Sequence, residues 1–211
     1  MKVAVLVDVE NTRPNSVKYI LEEAGSYGKI LFKRAYADFN KDNLKSWKPI
    51  CSDMGLETVQ QFSHVAKRGS SDGALIVDGM TLMFTTNVDI FCIASSDSDF
   101  TKMAISMRGY EKTVIGFGST QTPLCFQNAC ERFVYIENLL GEPHNQHIKF
   151  SFKDIEEFVT NILSECTKDN INLSYIKDSL LRKDSSFDTR SYGCRTMSQF
   201  IKNIKSVKTY N

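Results

Sequence analysis

The sequence lacks the features of several large classes of protein. None of its apolar runs approaches the roughly 18 residues that are needed to cross a bilayer, so we expect no membrane-spanning segment. The opening apolar run, residues 2–8, is short and ends in acidic residues rather than in the small residues of a signal-peptide cleavage site. We therefore expect this run to be a first strand and the protein to be cytoplasmic. The sequence also contains no internal repeat and no low-complexity tract.

The six cysteines lack the spacing of a disulfide framework or of a zinc site. No two of them form a Cys-x-x-Cys pair, and several lie inside apolar segments, which is typical of thiols in a reducing compartment. The three histidines are not spaced with the cysteines as zinc ligands would be. These absences make both a disulfide-stabilised fold and a structural zinc site poor interpretations.

A strong charge of one sign is also missing, since the net charge of the 211 residues is only +1. The charge is divided unevenly, however. Residues 1–148 contain 15 Lys and Arg against 17 Asp and Glu, whereas residues 149–211 contain 11 against 8. A basic C-terminal segment on an acidic body indicates a polyanionic partner.

Short apolar runs alternate with segments of helical periodicity over the first 140 residues. The predicted strands are residues 2–8, 30–38, 56–62, 88–95, 112–118 and 132–136, and the predicted helices are residues 15–28, 42–55, 71–86, 99–109 and 122–130. Such alternation, with nearly continuous apolar strands, predicts an α/β fold in which helices cover both faces of a parallel sheet. In such sheets the ligand site lies beyond the carboxyl ends of the strands.

The pattern changes after residue 136. Residues 137–150 contain glycine, proline and two histidines with little periodicity, which is typical of a linker. Three amphipathic helices are predicted after it, at residues 151–166, 173–184 and 196–207. Two short strand-like segments are predicted at residues 170–173 and 206–210. This arrangement predicts a small winged-helix domain. We expect a first domain over residues 1–140, a linker over 141–147 and a second domain over 148–211.

Four carboxylates fall at strand ends or helix starts of the first domain. Asp8 ends the first strand, Asp72 opens a helix, and Asp97 and Asp99 follow the fourth strand directly. Together at one edge of the sheet they would repel one another, and their pKa values would rise, unless a cation lay between them. Oxygen ligands without clustered Cys or His favour Mg²⁺ or Mn²⁺ over Zn²⁺.

Simpler interpretations of these carboxylates stay open. Asp97 and Asp72 would each serve as a helix cap, and Asp99 would interact favourably with the dipole of the helix that follows. Asp8 caps nothing obvious, so it favours the metal site. Asp78 lies six residues after Asp72, about 240° around a regular helix, and is expected to face elsewhere.

The segments VLVDVEN, SSDGALIVDGM, CIASSDSDF and VIGFGSTQTPLCFQNACERFVYIENL together resemble an NYN domain of the LabA-like group. These domains belong to the PIN-like superfamily of metal-dependent nucleases. The resemblance covers residues 2–140 and implies a Rossmann-like fold with RNA cleavage that depends on Mg²⁺ or Mn²⁺. It implies an acidic site at Asp8, Asp72, Asp97 and Asp99, with Asn11 beside it, and an acidic position of less defined role at Asp78.

One residue departs from the family pattern, and activity is not implied by the motif alone. Glu10 stands where relatives have a small residue, so it either crowds the site or adds a ligand. Some members of the superfamily have lost activity. An RNA-binding adaptor that keeps the fold without cleaving RNA is therefore the alternative to a nuclease.

The segment INLSYIKDSLLRKDSSFDTRSYGCRTMSQFIKNI resembles an OST-HTH or LOTUS domain, over about residues 148–211. The resemblance implies a winged helix that binds RNA or, in some members, a protein partner. In this interpretation Phe187 anchors a loop, and Tyr192 and Gly193 form the turn before the last helix. A protein partner at this domain and a homo-oligomer both stay open.

These observations together predict a single-chain endoribonuclease that acts in RNA processing. Asp8, Asp97 and Asp99 are expected to hold the metal, and Asp72 to complete the acidic ring and orient the attacking water. The residues expected to contact RNA are Asn11, Arg13, Lys67, Arg68, Ser96, Lys177, Arg182, Lys183, Arg190 and Arg195. For Arg13, Lys67 and Arg68 an ordinary surface position is an equally good interpretation, and for any single cation of the second domain a solvated surface position is the better one.

Two other phosphoryl-transfer folds fit the sequence less well. A phosphatase of the haloacid dehalogenase type would need an aspartate two residues after Asp8, where the chain has Glu10. A response-regulator receiver would need a lone phospho-acceptor aspartate after the third strand, and none is there.

Overall fold

The computed structural model describes residues 1–62, 70–142, 150–165 and 171–204. The chain divides into two compact units, Met1–Gly141 and Glu142–Asn211. None of the helices within the described ranges has the length and apolar character that crossing a membrane requires.

A six-stranded parallel sheet forms the centre of the first unit. Its strands are β1 (Lys2–Asp8), β2 (Lys29–Ala37), β3 (Glu57–Gln60), β4 (Ile90–Ala94), β5 (Thr113–Gly118) and β6 (Arg132–Tyr135). They are hydrogen-bonded in the order β3-β2-β1-β4-β5-β6, and each neighbouring pair is parallel. The predicted α/β fold with a Rossmann-like parallel sheet is confirmed. In this strand order the direction of winding reverses between β1 and β4, which is where Rossmann-like sheets bind ligands.

Strand β1 explains why the sheet is covered on both faces. Its residues Val3 to Val7 are all fully buried, although successive side chains of a strand point to opposite faces. Val3, Val5 and Val7 therefore enter one hydrophobic core, and Ala4 and Leu6 enter the other. A continuous apolar run, rather than an alternating one, is what burial on both faces requires.

Six helices supply the two layers that cover the sheet. The helices α1 (Val17–Tyr27), α2 (Trp47–Met54) and α6 (Ile136–Leu140) contribute to the core that contains Val5. The helices α3 (Ser70–Thr85), α4 (Thr101–Gly109) and α5 (Leu124–Ala129) contribute to the core that contains Leu6. Pro49 is accommodated as the third residue of α2, because the first turn of a helix leaves its N–H groups without intrahelical partners.

The helix α6 corrects the sequence interpretation of residues 137–150 as a linker. The chain leaves β6 directly into this helix, which buries Ile136, Glu137 and Asn138. It ends at Gly141, whose φ of 68° is left-handed and therefore suits glycine. Five residues are too few to show helical periodicity, so the sequence pattern could not reveal this helix.

In its described residues the second unit packs three α-helices around its own core. These are α7 (Phe152–Glu165), α8 (Leu173–Lys183) and α9 (Met197–Lys202). At the centre of the core the Phe200 ring lies 5.5 Å from the Phe187 ring and 5.3 Å from the Tyr192 ring, measured between centroids. The Tyr192 hydroxyl also donates to the carbonyl of Phe150 at 2.9 Å, which ties the turn before α9 to the start of the unit.

Two sequence expectations for the second unit are wrong over its described residues. The last helix was predicted to run to residue 207 but ends at Lys202. Residues 171–172 form no strand, because the side chain of Asn172 caps α8 by accepting from the Ser174 N–H at 3.0 Å. The strand predicted at residues 206–210 lies outside the described residues.

Candidate active site

Two strand ends and one helix start meet at the edge of the sheet where the direction of winding reverses, between β1 and β4. Asp8 is the last residue of β1, and β1 pairs with β4 so that Val7 lies opposite Ala94. After β4 the chain forms a short 3₁₀ turn, Ser98–Phe100, which carries Asp99 and has Asp97 immediately before it. The first turn of α3 brings Asp72 to the same edge.

Three of these carboxylates form a close group. Asp72, Asp97 and Asp99 each offer a carboxylate oxygen, and these oxygens lie within 4.8 Å of one another. Asp72 and Asp97 are partly buried and Asp99 is exposed, so the group opens to solvent on one side. Three carboxylate oxygens at this separation have the size and chemistry of a site for a hard divalent cation.

Asp8 stands beside this acidic group and is almost completely buried, with 1% of its surface exposed. Its Oδ2 accepts from the Ser95 hydroxyl at 2.6 Å and from the Asn11 amide at 2.9 Å. Its Oδ1 is buried and has no hydrogen-bond donor among the described residues. A buried carboxylate oxygen without a donor is costly, and a cation is one partner that would satisfy it. The residues present therefore fit Mg²⁺ or Mn²⁺.

Ser95 is the residue of the site that the sequence interpretation missed. Its hydroxyl donates to Asp8 and accepts from the backbone N–H of Asp97 at 3.0 Å, so it joins the ends of β1 and β4. Its place at the end of an apolar strand was the only available signal. The neighbouring Ser96, whose predicted contact with substrate stays a prediction, accepts a hydrogen bond from the Ser119 N–H at 2.9 Å.

The simpler interpretation of Asp97 as a cap is correct for one of its oxygens. Asp97 Oδ1 accepts from the backbone N–H of Asp99 at 2.9 Å, at the start of the 3₁₀ turn. This bond holds Asp97 and Asp99 in fixed positions relative to each other. Capping and metal binding are therefore compatible, because the cap uses only Oδ1.

Repulsion and burial raise the pKa values of two of these acids. Burial and then the negative charges of Asp8, Asp97, Asp99 and Glu10 raise the pKa of Asp72 to about 6. Burial also raises the pKa of Asp8, although its hydrogen bonds from Ser95 and Asn11 oppose that shift. Both shifts have the sign expected for carboxylates brought together without a counter-charge.

Two further acids lie outside the close group. Glu10, which the sequence interpretation expected to crowd the site or add a ligand, forms an ion pair with Lys41, at 2.5 Å between Nζ and Oε1. Asp78 faces away from the acidic group, as predicted, and binds Arg34 of β2.

A polar cleft of about 540 Å³ begins at Asn11, next to the acidic group. Its lining comprises Glu10, Asn11, Thr12, Arg13, Ser96, Ser119, Thr120, Gln121, Ile136 and Glu137. The Arg13 guanidinium forms an ion pair with Glu137 at 3.1 Å, and the other oxygen of Glu137 accepts from the Thr120 N–H at 3.2 Å. The cleft therefore presents hydroxyl and amide groups, with its arginine already neutralised.

The remaining predicted RNA contacts differ in their surroundings. Lys67 and Arg68 lie outside the described residues. In the second unit, Arg190 is bound to the carboxylate of Asp188 at 2.6 Å, and the Lys183 ammonium lies 4.1 Å from the centroid of the Phe158 ring. These two cations therefore also stabilise the fold of the unit.

The other three cations predicted to contact RNA in the second unit lie at exposed positions. Arg182 donates to the Ser179 hydroxyl at 2.9 Å. Lys177 and Arg195 are exposed, and within the described part of the chain their side chains form no ion pair. Of the predicted RNA contacts in the second unit, these two side chains therefore take the smallest part in stabilising the fold.

Comparison with known families gives two matches, which follow one another along the sequence. The NYN domain family matches residues 2–137, and the OST-HTH/LOTUS domain family matches residues 151–210. Both resemblances inferred from the sequence are confirmed. A comparison with curated proteins found no match.

Comparison with solved structures supports the fold of the first unit. A protein of unknown function from Vibrio parahaemolyticus is 21% identical, with a TM-score of 0.54, over 65% of this chain and 94% of that chain. A UDP-N-acetylglucosamine 2-epimerase is 9% identical, with a TM-score of 0.47, over 82% of this chain and 50% of that chain. The first likeness concerns the fold alone, and the second carries no conclusion.

We expect Mn²⁺ to raise the melting temperature of the protein, because a ligand that binds only the folded state stabilises it. At a concentration 100 times its Kd the expected gain is about 2.7 kcal/mol. The double variant Asp97→Asn/Asp99→Asn should stay folded and lose this shift in differential scanning fluorimetry. The control Asp42→Asn/Asp53→Asn removes two acids that do not belong to the close acidic group and should keep it. An equal shift in both double variants would locate the metal elsewhere.

The raised pKa of Asp72 predicts how stability changes with pH in the metal-free protein. An acid whose pKa rises from 3.8 to about 6 on folding stabilises the fold at low pH and loses that contribution as pH rises through 6. After allowance for solvent screening of this partly exposed group, we expect a loss of about 1–2 kcal/mol between pH 4 and 7. Urea unfolding in EDTA should show the loss, and Asp72→Asn should reduce it. Identical pH profiles for the two proteins would contradict the prediction.

Proposed function

The chain belongs to the NYN domain family and carries an OST-HTH/LOTUS domain after it, and from this premise we propose that it is a metal-dependent endoribonuclease acting in RNA processing or turnover. The observation that carries the proposal is the group of Asp72, Asp97 and Asp99 beside the unsatisfied Oδ1 of Asp8. The proposal assigns residues 1–140 to the nuclease domain, 141–147 to a linker and 148–211 to the RNA-binding domain.

In the proposed site, Asp8, Asp97 and Asp99 would hold Mg²⁺ or Mn²⁺ directly or through water. When bound, the ion would neutralise charge on the phosphoryl oxygens and lower the pKa of a water molecule. The hydrogen bond from Ser95 to Asp8 and the bond from the Asp99 N–H to Asp97 restrict the orientations of these carboxylates. Such outer contacts orient ligands and affect metal affinity.

Asp72 has the properties of the proton acceptor in this site. In the metal-free protein its pKa is raised to about 6, so it is mostly ionised at neutral pH, and a bound cation would lower that pKa and keep it ionised. The proposed reaction is hydrolysis of a phosphodiester bond. A water oxygen attacks the phosphorus, its proton passes to the Asp72 carboxylate, and the bond to the leaving ribose oxygen breaks. The leaving oxygen then takes up a proton from solvent.

The polar cleft beside the acidic group is the proposed path of the RNA chain. Asn11, Arg13 and Ser96 line it, and Lys67 and Arg68 are proposed as additional phosphate contacts. Because Arg13 is already paired with Glu137, an RNA phosphate would have to compete with that carboxylate.

The second unit is the proposed source of much of the RNA affinity. The body of the chain carries net negative charge and an acidic active edge, which repels a polyanion at long range. The proposed contacts in the basic C-terminal part are Lys177, Arg182, Lys183, Arg190 and Arg195. The proposal also includes a possible protein partner at this unit and a possible homo-oligomer. A cytoplasmic location is proposed as well, and free buried thiols such as that of Cys92 support it.

Purified full-length protein is expected to cut RNA in Mn²⁺ and to leave it intact in EDTA. Single-stranded, hairpin and duplex RNAs should be assayed in parallel on gels. We expect Asp72→Asn to lower kcat by about 10²- to 10⁴-fold, because it removes the proton acceptor. Asp8→Asn should abolish cleavage through loss of a metal ligand, and the control Asp42→Asn should cut normally. A protein that binds RNA but cuts none of these substrates would be the non-catalytic adaptor.

Removal of Lys177 and Arg195 is expected to weaken RNA binding and its dependence on salt. For single-stranded RNA each lost phosphate contact lowers the slope of log K against log salt by about 0.7, so the double variant Lys177→Gln/Arg195→Gln should lose about 1.4. The control Lys18→Gln/Lys45→Gln removes two exposed lysines from the first unit. Fluorescence anisotropy against salt concentration measures both slopes. Equal slopes in wild type and variant would reassign this surface to a protein partner.

A further inference from the structure

Asp78 makes the polar contacts that join α3 to the sheet. Arg34 Nη1 donates to its two carboxylate oxygens at 2.7 and 2.8 Å, and the Tyr36 hydroxyl donates to its Oδ2. Both donors belong to β2, the strand next to β1. Asp78 thus binds two groups on a rigid central strand from a position in the helix that also carries Asp72.

The two donors are themselves held in place. Arg34 Nε donates to Glu57 of β3 at 2.8 Å, and its guanidinium lies 5.4 Å from the centroid of the Phe32 ring. Tyr36 is fully buried, and its burial, together with the nearby Asp78 carboxylate, raises the pKa of its hydroxyl. Tyr36 therefore stays protonated and donates to Asp78 at every pH at which the protein would work.

The other contacts of α3 with the sheet are apolar. Leu75, Leu82 and Met83 enter the core that contains Leu6. Apolar burial is itself non-directional, and close packing such as that of Gly79 against Leu6 and Met103 restrains the helix through shape rather than through bonds of defined direction. Charge-assisted hydrogen bonds are directional and fix the rotation of the helix and its position along its own axis. Between described residues, the contacts of Asp78 are the only hydrogen bonds from an α3 side chain to a strand.

We propose that Asp78 is a positioning residue, which sets the rotation and axial position of α3 and thereby the distance of Asp72 from Asp97 and Asp99. Asp72 lies six residues earlier in α3, a rise of roughly 9 Å. A small rotation or slide of the helix therefore changes the position of the Asp72 carboxylate directly. This inference rests on the proposed function, since it concerns the same metal centre.

The expected effect is on metal affinity and turnover rather than on RNA binding. A carboxylate oxygen of Asp72 lies within 4.8 Å of those of Asp97 and Asp99, so its negative charge adds to the affinity for the cation even though its proposed role is that of proton acceptor. Residues that orient metal-site groups typically affect metal affinity by 10- to 100-fold, so we expect Asp78→Asn to bind Mn²⁺ about tenfold more weakly. In the presence of saturating Mn²⁺ its kcat should fall while its KM for RNA stays within about twofold, because the proposed RNA contacts lie in the cleft and the second unit.

Isothermal titration of the metal-free full-length protein with Mn²⁺ tests the inference without a cleavage assay. Asp78→Asn removes the charge that binds Arg34, and Tyr36→Phe removes only the second donor. Glu57→Gln is the matched control, because it takes one carboxylate charge from the same Arg34 but does not touch α3. We expect weaker Mn²⁺ binding in Asp78→Asn, a smaller loss in Tyr36→Phe, and wild-type binding in Glu57→Gln.

Thermal unfolding of the same variants separates positioning from general stability. A lower melting temperature for Asp78→Asn with unchanged Mn²⁺ affinity would overturn the inference, because a purely structural residue behaves in that way. If Asp78→Asn does not fold, Tyr36→Phe alone decides, and wild-type affinity in that variant would overturn the inference. If the wild-type protein binds no Mn²⁺, both the proposed metal centre and this inference are wrong. If the wild-type protein binds Mn²⁺ and Asp78→Asn binds it with the same affinity, only this inference is wrong.

Discussion

The parallel pairing of β1 with β4 is the constraint on which the candidate site depends. It brings the end of β1, with Asp8, against the segment that carries Asp97 and Asp99, although these residues are far apart in the sequence. The fold thereby forces acidic groups together at the one edge of the sheet where neighbouring loops separate and leave room for a ligand. The raised pKa values of Asp8 and Asp72, caused first by burial and then by neighbouring negative charges, are consistent with a cost of this arrangement in the absence of a cation.

Much of the surrounding structure limits that cost. Ser95 and Asn11 donate to one oxygen of Asp8, and Lys41 neutralises Glu10 at the rim. None of these contacts satisfies the other oxygen of Asp8. The site is thus stabilised enough to fold, while Oδ1 of Asp8 still lacks a partner among the described residues and would be stabilised by a cation. Unsatisfied groups of this kind are more typical of functional sites than of the rest of a protein.

The fold and the main acidic residues were predictable from the sequence for physical reasons. Strands that are buried on both faces read as continuous apolar runs, and residues at the ends of parallel strands must meet at one edge. The helix α6 was missed because its five residues are shorter than the period needed to recognise it. The roles of Ser95 and Asp78 could not be predicted, because each depends on a partner from a distant segment that only the strand order brings near.

The hydrogen bond between Ser95 and Asp8 also has a consequence for the order of folding. The two residues are 87 positions apart, so Asp8 leaves the ribosome long before its partner exists. Until β4 pairs with β1, the Asp8 carboxylate remains hydrated. Contacts between distant segments form slowly because the loop between them must close first. The acidic centre is therefore complete only once these distant segments have paired, and no partial chain that lacks β4 can form it.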